Sequence, residues 1–120
     1  MAYVDIYPSS NEAEAKMARR IADIRFYVRA AIKQEWDIAE HDIIVMAHKN
    51  TILSQDPFAV DKDAVPELVI KINTSDTELQ NRAERLGNRI VSLFQVSFSD
   101  ISMELWIGFF HTWGCTINFS

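Results

Sequence analysis

With 120 residues and a formal net charge of -5, from 12 basic and 17 acidic side chains, the chain suffices for one compact domain and is too short for two. Its 48 % hydrophobic and 24 % charged content is the balance of an ordinary globular protein, without the bias of a disordered chain. The acidic balance argues against binding to a phosphate backbone, and the apolar runs stop far short of the roughly 20 residues that a membrane-spanning helix needs. Nucleic acid and membrane are therefore not expected partners. No basic stretch leads into an apolar one at the N-terminus and Asp5 falls early, so no signal peptide is expected. Cys115 is the single cysteine. It cannot close an intrachain disulfide, and a cytoplasmic protein with a bystander thiol is the expectation.

Tyr3 to Tyr7 alternates, with Val4 and Ile6 on one side and Tyr3, Asp5 and Tyr7 on the other, which predicts a strand. Pro8-Ser9-Ser10 ends it. Ser9 with Glu12 reads as a capping box. A helix is predicted from there to about Gln34, with Met17, Ile21, Ile24, Val28 and Ile32 as its apolar stripe. Asp42 to His48 predicts a second strand, whose run Ile43-Ile44-Val45-Met46 is apolar on both faces. Residues 50–65 follow without a period and read as a loop. A domain boundary there would leave two halves too small to fold alone.

The pattern then recurs. Leu68, Ile70 and Ile72 alternate with Val69, Lys71 and Asn73, Ser75 with Glu78 repeats the capping box, and Leu79, Ala83, Leu86, Ile90 and Leu93 make a second stripe. Ser102 to Phe110 predicts a last strand, with large side chains on both faces: Leu105, Ile107 and Phe109 against Trp106 and Phe110. A shift of 66 residues carries Ser9 onto Ser75, Val4 onto Ile70 and Ile24 onto Ile90. The expected organisation is one α+β domain over 1–120. It consists of two consecutive βαβ units, pseudo-repeats 1–49 and 66–113, which form a four-stranded sheet with two helices on one face. The second face then needs a partner, because an apolar sheet face of that size does not stay exposed in a monomer.

Two βαβ units with an uncovered sheet face resemble the tautomerase superfamily of macrophage migration inhibitory factor and 5-carboxymethyl-2-hydroxymuconate isomerase. The resemblance rests on Met1-Ala2-Tyr3-Val4, on Met46-Ala47-His48-Lys49, on PELVIKINTS and on the tail MELWIGFFHTWGCTINFS. It implies a homotrimer and a keto–enol tautomerase or isomerase acting on a small 2-oxo acid. The family's catalyst is an N-terminal proline, exposed when the initiator methionine is removed, whose secondary amine acts as general base. Here Ala2 stands in that place. It offers a primary amine only if Met1 is removed, so the chemistry is expected to be lost or altered. The family's carboxylate-binding residue falls by position on Lys49, a point charge where arginine would grip in a bidentate way. His48 before it matches the isomerases' Ala-His-Arg pattern, and Trp113 would line a pocket shared between subunits.

Other constellations carry less. His41, His48 and His111 lack metal-ligand spacing, and no glycine-rich phosphate loop is present, so no metal or cofactor is expected. Arg19, Arg20, Arg82, Arg85 and Arg89 interleave with glutamates and read as solvated helix faces. Two other functions stay open beside the enzyme: a non-catalytic trimer that binds a ligand or partner, and a ferredoxin-like binding domain, which shares the βαβ-βαβ order.

Overall fold

The structure is a computed structural model that describes residues 1–110. Strands β1 (Ala2–Pro8), β2 (Ile43–Ala47), β3 (Leu68–Thr74) and β4 (Met103–Phe109) form one sheet in the order β2-β1-β3-β4. β1 and β2 run parallel, as do β3 and β4, and the central β1–β3 pair is antiparallel. Each βαβ unit thus pairs its own two strands side by side. A ferredoxin-like domain is built on a split βαβ, whose parallel strands are kept apart by another strand. That alternative is overturned by the direct β1–β2 and β3–β4 pairing.

The inward residues of the strands make the core. Val4 lies opposite Ile72 and Ile6 opposite Ile70 across the central ladder, all four buried. Ile24, Val28 and Ile32 of helix α2 (Ile21–Trp36) and Leu86, Ile90 and Phe94 of helix α4 (Ala83–Ser97) cover them. Burying a side chain of this size contributes about 1.5–3 kcal/mol, so these facing stripes hold the helices on the sheet. β3 begins 66 residues after β1, the shift seen in the sequence.

Several local expectations are corrected. The first helix is two helices: α1 (Asn11–Ala18) precedes α2, with a turn at Arg19–Arg20. No proline or glycine marks the break. Tertiary contacts hold it, since Arg20 pairs with Asp100 and its Nη2 donates to the Ser97 carbonyl at 2.6 Å. The N-cap is Ser10, whose Oγ accepts from the Ala13 N–H, and not Ser9. Ser9 instead donates its N–H to the Glu67 carbonyl as the chain leaves β1. In the second unit Asp76, and not Ser75, accepts the capping hydrogen bond, and a 3-10 turn over Thr77–Arg82 leads into α4. The loop contains a short helix α3 (Pro57–Asp61), with Asp56 as its cap and Pro57 in its first turn.

β2 was expected to be covered on both faces. Ile43 and Val45 are buried, but Met46 is exposed, so within one chain only the inner face is covered. The outer face of the sheet carries Tyr3, Asp5, Tyr7, Met46, Lys71 and Trp106. It is mixed in character, with an acid and a lysine at its centre and exposed aromatic and sulfur side chains around them.

Candidate active site

Ala2 opens β1 between Ile43 and Thr74, with 0 % of its surface exposed. The Thr74 hydroxyl, itself buried, donates to the Met1 carbonyl at 3.0 Å and accepts from the Asp76 N–H at 3.2 Å. This fixes the start of the chain against the end of β3. Met1 is 50 % exposed. With Met1 present, Ala2 offers the core a methyl group, and the free amine lies one residue further out.

His48 and Lys49 follow β2 at the other end of the sheet. The His48 N–H donates to the Ile6 carbonyl at 2.9 Å and so extends the β1–β2 ladder by one step. Lys49 is exposed and makes no ion pair among the described residues. From Ile43, beside Ala2, to Lys49 is six residues of extended chain, roughly 20 Å at about 3.3 Å per residue. One chain therefore does not bring Ala2 together with His48 and Lys49. Trp113, like His111 and Cys115, lies outside the described residues.

His48 does have partners. Its Nε2 lies 2.7 Å from Asp5 Oδ1, and its ring stacks on Tyr7 with centroids 4.4 Å apart and planes 12° from parallel. The Lys71 Nζ lies over the Tyr7 ring, 5.6 Å from its centre, and Lys71 is opposite Asp5 in the β1–β3 register. A base, an acid, a phenol and a cation thus share the outer face of the sheet. Sequence reasoning singled out His48 but missed Asp5, Tyr7 and Lys71. The signal was present: strict alternation in β1 and β3 put all three on the non-core face.

The perturbed carboxylates lie elsewhere. Partial burial works to raise the Glu67 carboxyl, but hydrogen bonds from Lys16 and from the Ser102 N–H outweigh it and hold the group below its ordinary range. The Arg20 guanidinium beside Asp100 and the Lys33 ammonium beside Glu40 lower those two groups. Glu67 and Asp100 clamp α1 and α2 to the entries of β3 and β4, and they read as structural. Neither of two surface cavities is lined by Ala2, His48 or Lys49. One of about 150 Å³ is lined by Ser10, Gln55 and Glu67, and one of about 480 Å³ runs between Gly87 and Val91 of α4 and Leu105 of β4. Among the described residues no group of three His, Cys, Asp or Glu side chains could hold a metal ion, and no helix is long and apolar enough to cross a membrane.

No protein-family model and no curated protein matches the chain. Solved structures do. Leishmania major MIF2 superposes with a TM-score of 0.59 at 10% identity, over 96% of this chain and 93% of that one. A macrophage migration inhibitory factor-like protein from Entamoeba histolytica gives a TM-score of 0.54 at 14% identity, over 96% and 93%. A 5-carboxymethyl-2-hydroxymuconate delta-isomerase gives 0.59 at 11% identity, over 98% and 89%. At this identity the likeness establishes the fold: the chain has the architecture of these macrophage migration inhibitory factor and isomerase structures, the one its sequence resemblance implied.

Proposed function

We propose that the chain is a tautomerase-superfamily protein without the catalytic proline, which moves a proton within a small 2-oxo acid by an altered keto–enol tautomerase or isomerase chemistry. The observation that carries the reading is the fold, shared over nearly the whole of both chains with macrophage migration inhibitory factors and with an isomerase. A homotrimer belongs to the same proposal. Ala2 and Lys49 are roughly 20 Å apart within one chain, so a pocket holding both needs two subunits, with Trp113 as a further wall. In that pocket Lys49 would hold the substrate carboxylate, with His48 beside it. The single thiol, Cys115, fits a cytoplasmic protein.

The test is the ketonisation of enol-phenylpyruvate, followed in ultraviolet light on untagged protein whose N-terminus is defined by mass spectrometry. A rate well above buffer, with Lys49→Ala raising KM, supports the reading. A rate equal to buffer rejects it in favour of a non-catalytic trimer that binds a ligand or partner. The complete burial of Ala2 behind Met1 is the observation that favours this second reading. Ala2→Pro separates the two further. Proline is tolerated at the first residue of a strand, and a fully active variant, processed at Met1, would show that the rest of the pocket is still competent.

A further inference from the structure

We infer that His48 is the proton-transferring base of this protein, positioned by Asp5, and that Lys71 supplies the positive charge for the substrate anion. The inference rests on the 2-oxo acid reading above and assigns the step that the missing proline leaves vacant.

Three features carry it. A carboxylate can only accept, so the ring nitrogen that faces Asp5 Oδ1 at 2.7 Å is the one that bears hydrogen. In the neutral ring Nδ1 then carries the lone pair, which is how a carboxylate prepares an imidazole for base catalysis. The ring is also held in its plane by the parallel Tyr7 ring, while the His48 N–H bond to Ile6 anchors its backbone. Finally, Lys71 is exposed, lies over Tyr7, and makes no ion pair among the described residues although Asp5 is directly opposite. The carboxylate is used by the histidine, which leaves the ammonium for an anion.

Structure alone gives this arrangement little reason to exist. Within one chain the His48 side chain is 35 % exposed, and a pair this open to solvent adds little to stability. The charged and titratable groups around His48 are Asp5 and Tyr7 of β1, Lys71 of β3, its neighbour Lys49, and Glu14 of α1, which accepts from the Asn50 N–H.

The chemistry balances without a co-reactant. Nδ1 removes a proton from C3 of the 2-oxo acid. The C–H electron pair becomes the C2–C3 double bond, and the carbonyl pair moves onto oxygen as an enolate, with Lys71 opposing the anion's charge. The imidazolium then returns its proton to the enolate oxygen, giving the enol. The reverse sequence gives the ketone.

The test uses full-length protein of defined N-terminus and enol-phenylpyruvate. His48→Gln should lower kcat/KM by about 100-fold or more, the range for a general base. Asp5→Asn should lower kcat with KM unchanged and alter the pH–rate profile, and Lys71→Ala should raise KM. Should His48→Gln prove unfolded by circular dichroism, His48→Ala assayed in free imidazole decides: recovery of rate supports the assignment, and a rate that ignores imidazole overturns it. An active wild type whose folded His48→Gln variant is equally active overturns this inference while leaving the 2-oxo acid reading standing, and points back to the N-terminal amine. A wild type no faster than buffer overturns both.

Discussion

Lys16 of α1 and Glu67, the residue before β3, meet at 2.7 Å and join the two βαβ units at one corner. The same ammonium donates to the Asp100 carbonyl at 2.9 Å. Glu67 and Ser102 also exchange hydrogen bonds, Glu67 N–H to Ser102 Oγ at 2.9 Å and Ser102 N–H to Glu67 Oε1 at 3.1 Å. The corner thus fixes where β3 and β4 start, and with them the register of half the sheet. Glu67→Gln keeps the shape and removes the charge. It should cost about 1 kcal/mol, the upper range for an ion pair partly exposed to solvent. The urea midpoint should fall with an unchanged slope. A changed slope would mean that the corner governs compactness as well as stability.

The same corner sets a pH dependence. Glu67 and Asp100 are both held below their ordinary ranges in the folded chain. Groups lowered on folding stabilise the protein above their unfolded values, about 4.3 for Glu and 3.9 for Asp. That stability is lost as the pH falls through the folded values. Urea unfolding at pH 7 and pH 5 should therefore agree for this contribution, and the wild-type stability should drop below about pH 4. Glu67→Gln should flatten that drop while starting from a lower plateau. An acid limb of the same depth in the variant would remove Glu67 as its source.

Asp37 ends α2 in the left-handed region, φ 54° and ψ 43°, while its N–H donates to the Lys33 carbonyl at 3.0 Å. This is the helix-ending position that glycine fills at no steric cost. The Asp37 side chain forms no ion pair among the described residues. Asp37→Gly should therefore stabilise the protein by about 0.5–1 kcal/mol, the relief of left-handed strain less the added chain entropy. Thermal unfolding would show a rise of a few degrees. A fall would mean that the carboxylate has a role beyond the cap.

The parts legible in the sequence were those that a buried period writes. Val4, Ile6, Ile70 and Ile72 alternate because one face of the sheet is covered, and Ile24, Val28, Leu86, Ile90 and their neighbours recur because one face of each helix covers it. The break at Arg19–Arg20 was not legible, because it is held by Asp100 and Ser97, nearly eighty residues away. The Ser-x-x-Glu match points to Ser9 and Ser75, but it does not say which of two adjacent polar residues turns its oxygen inward, and Ser10 and Asp76 are the caps. For the site, position along the chain pointed to His48 and Lys49, but only strand register joins His48 to Asp5, Tyr7 and Lys71. The distance between Ala2 and Lys49 follows from parallel β1–β2 pairing, which resemblance alone left unstated.

Trp106 tests what covers the outer face. It lies opposite Lys71, is 60 % exposed, and donates its Nε1–H to Glu104 at 2.6 Å, which fixes the indole on the sheet surface. Tyr3, Met46 and Phe110 add exposed apolar surface on or beside the same sheet. An indole buried between subunits is a typical anchor, and its loss commonly costs 2 kcal/mol or more per contact. Trp106→Glu would bring a charge next to Glu104 within such an interface. It should reduce the native mass to that of the 13.8 kDa monomer. Light scattering over a concentration series reads this directly, and the thermal midpoint should lose its dependence on protein concentration along with the assembly. Within a monomer the substitution touches no core residue and should change stability by no more than about 0.5 kcal/mol. A variant that keeps the wild-type mass would mean that the subunits meet elsewhere, and a wild type already at the monomer mass would remove the trimer and the shared pocket together.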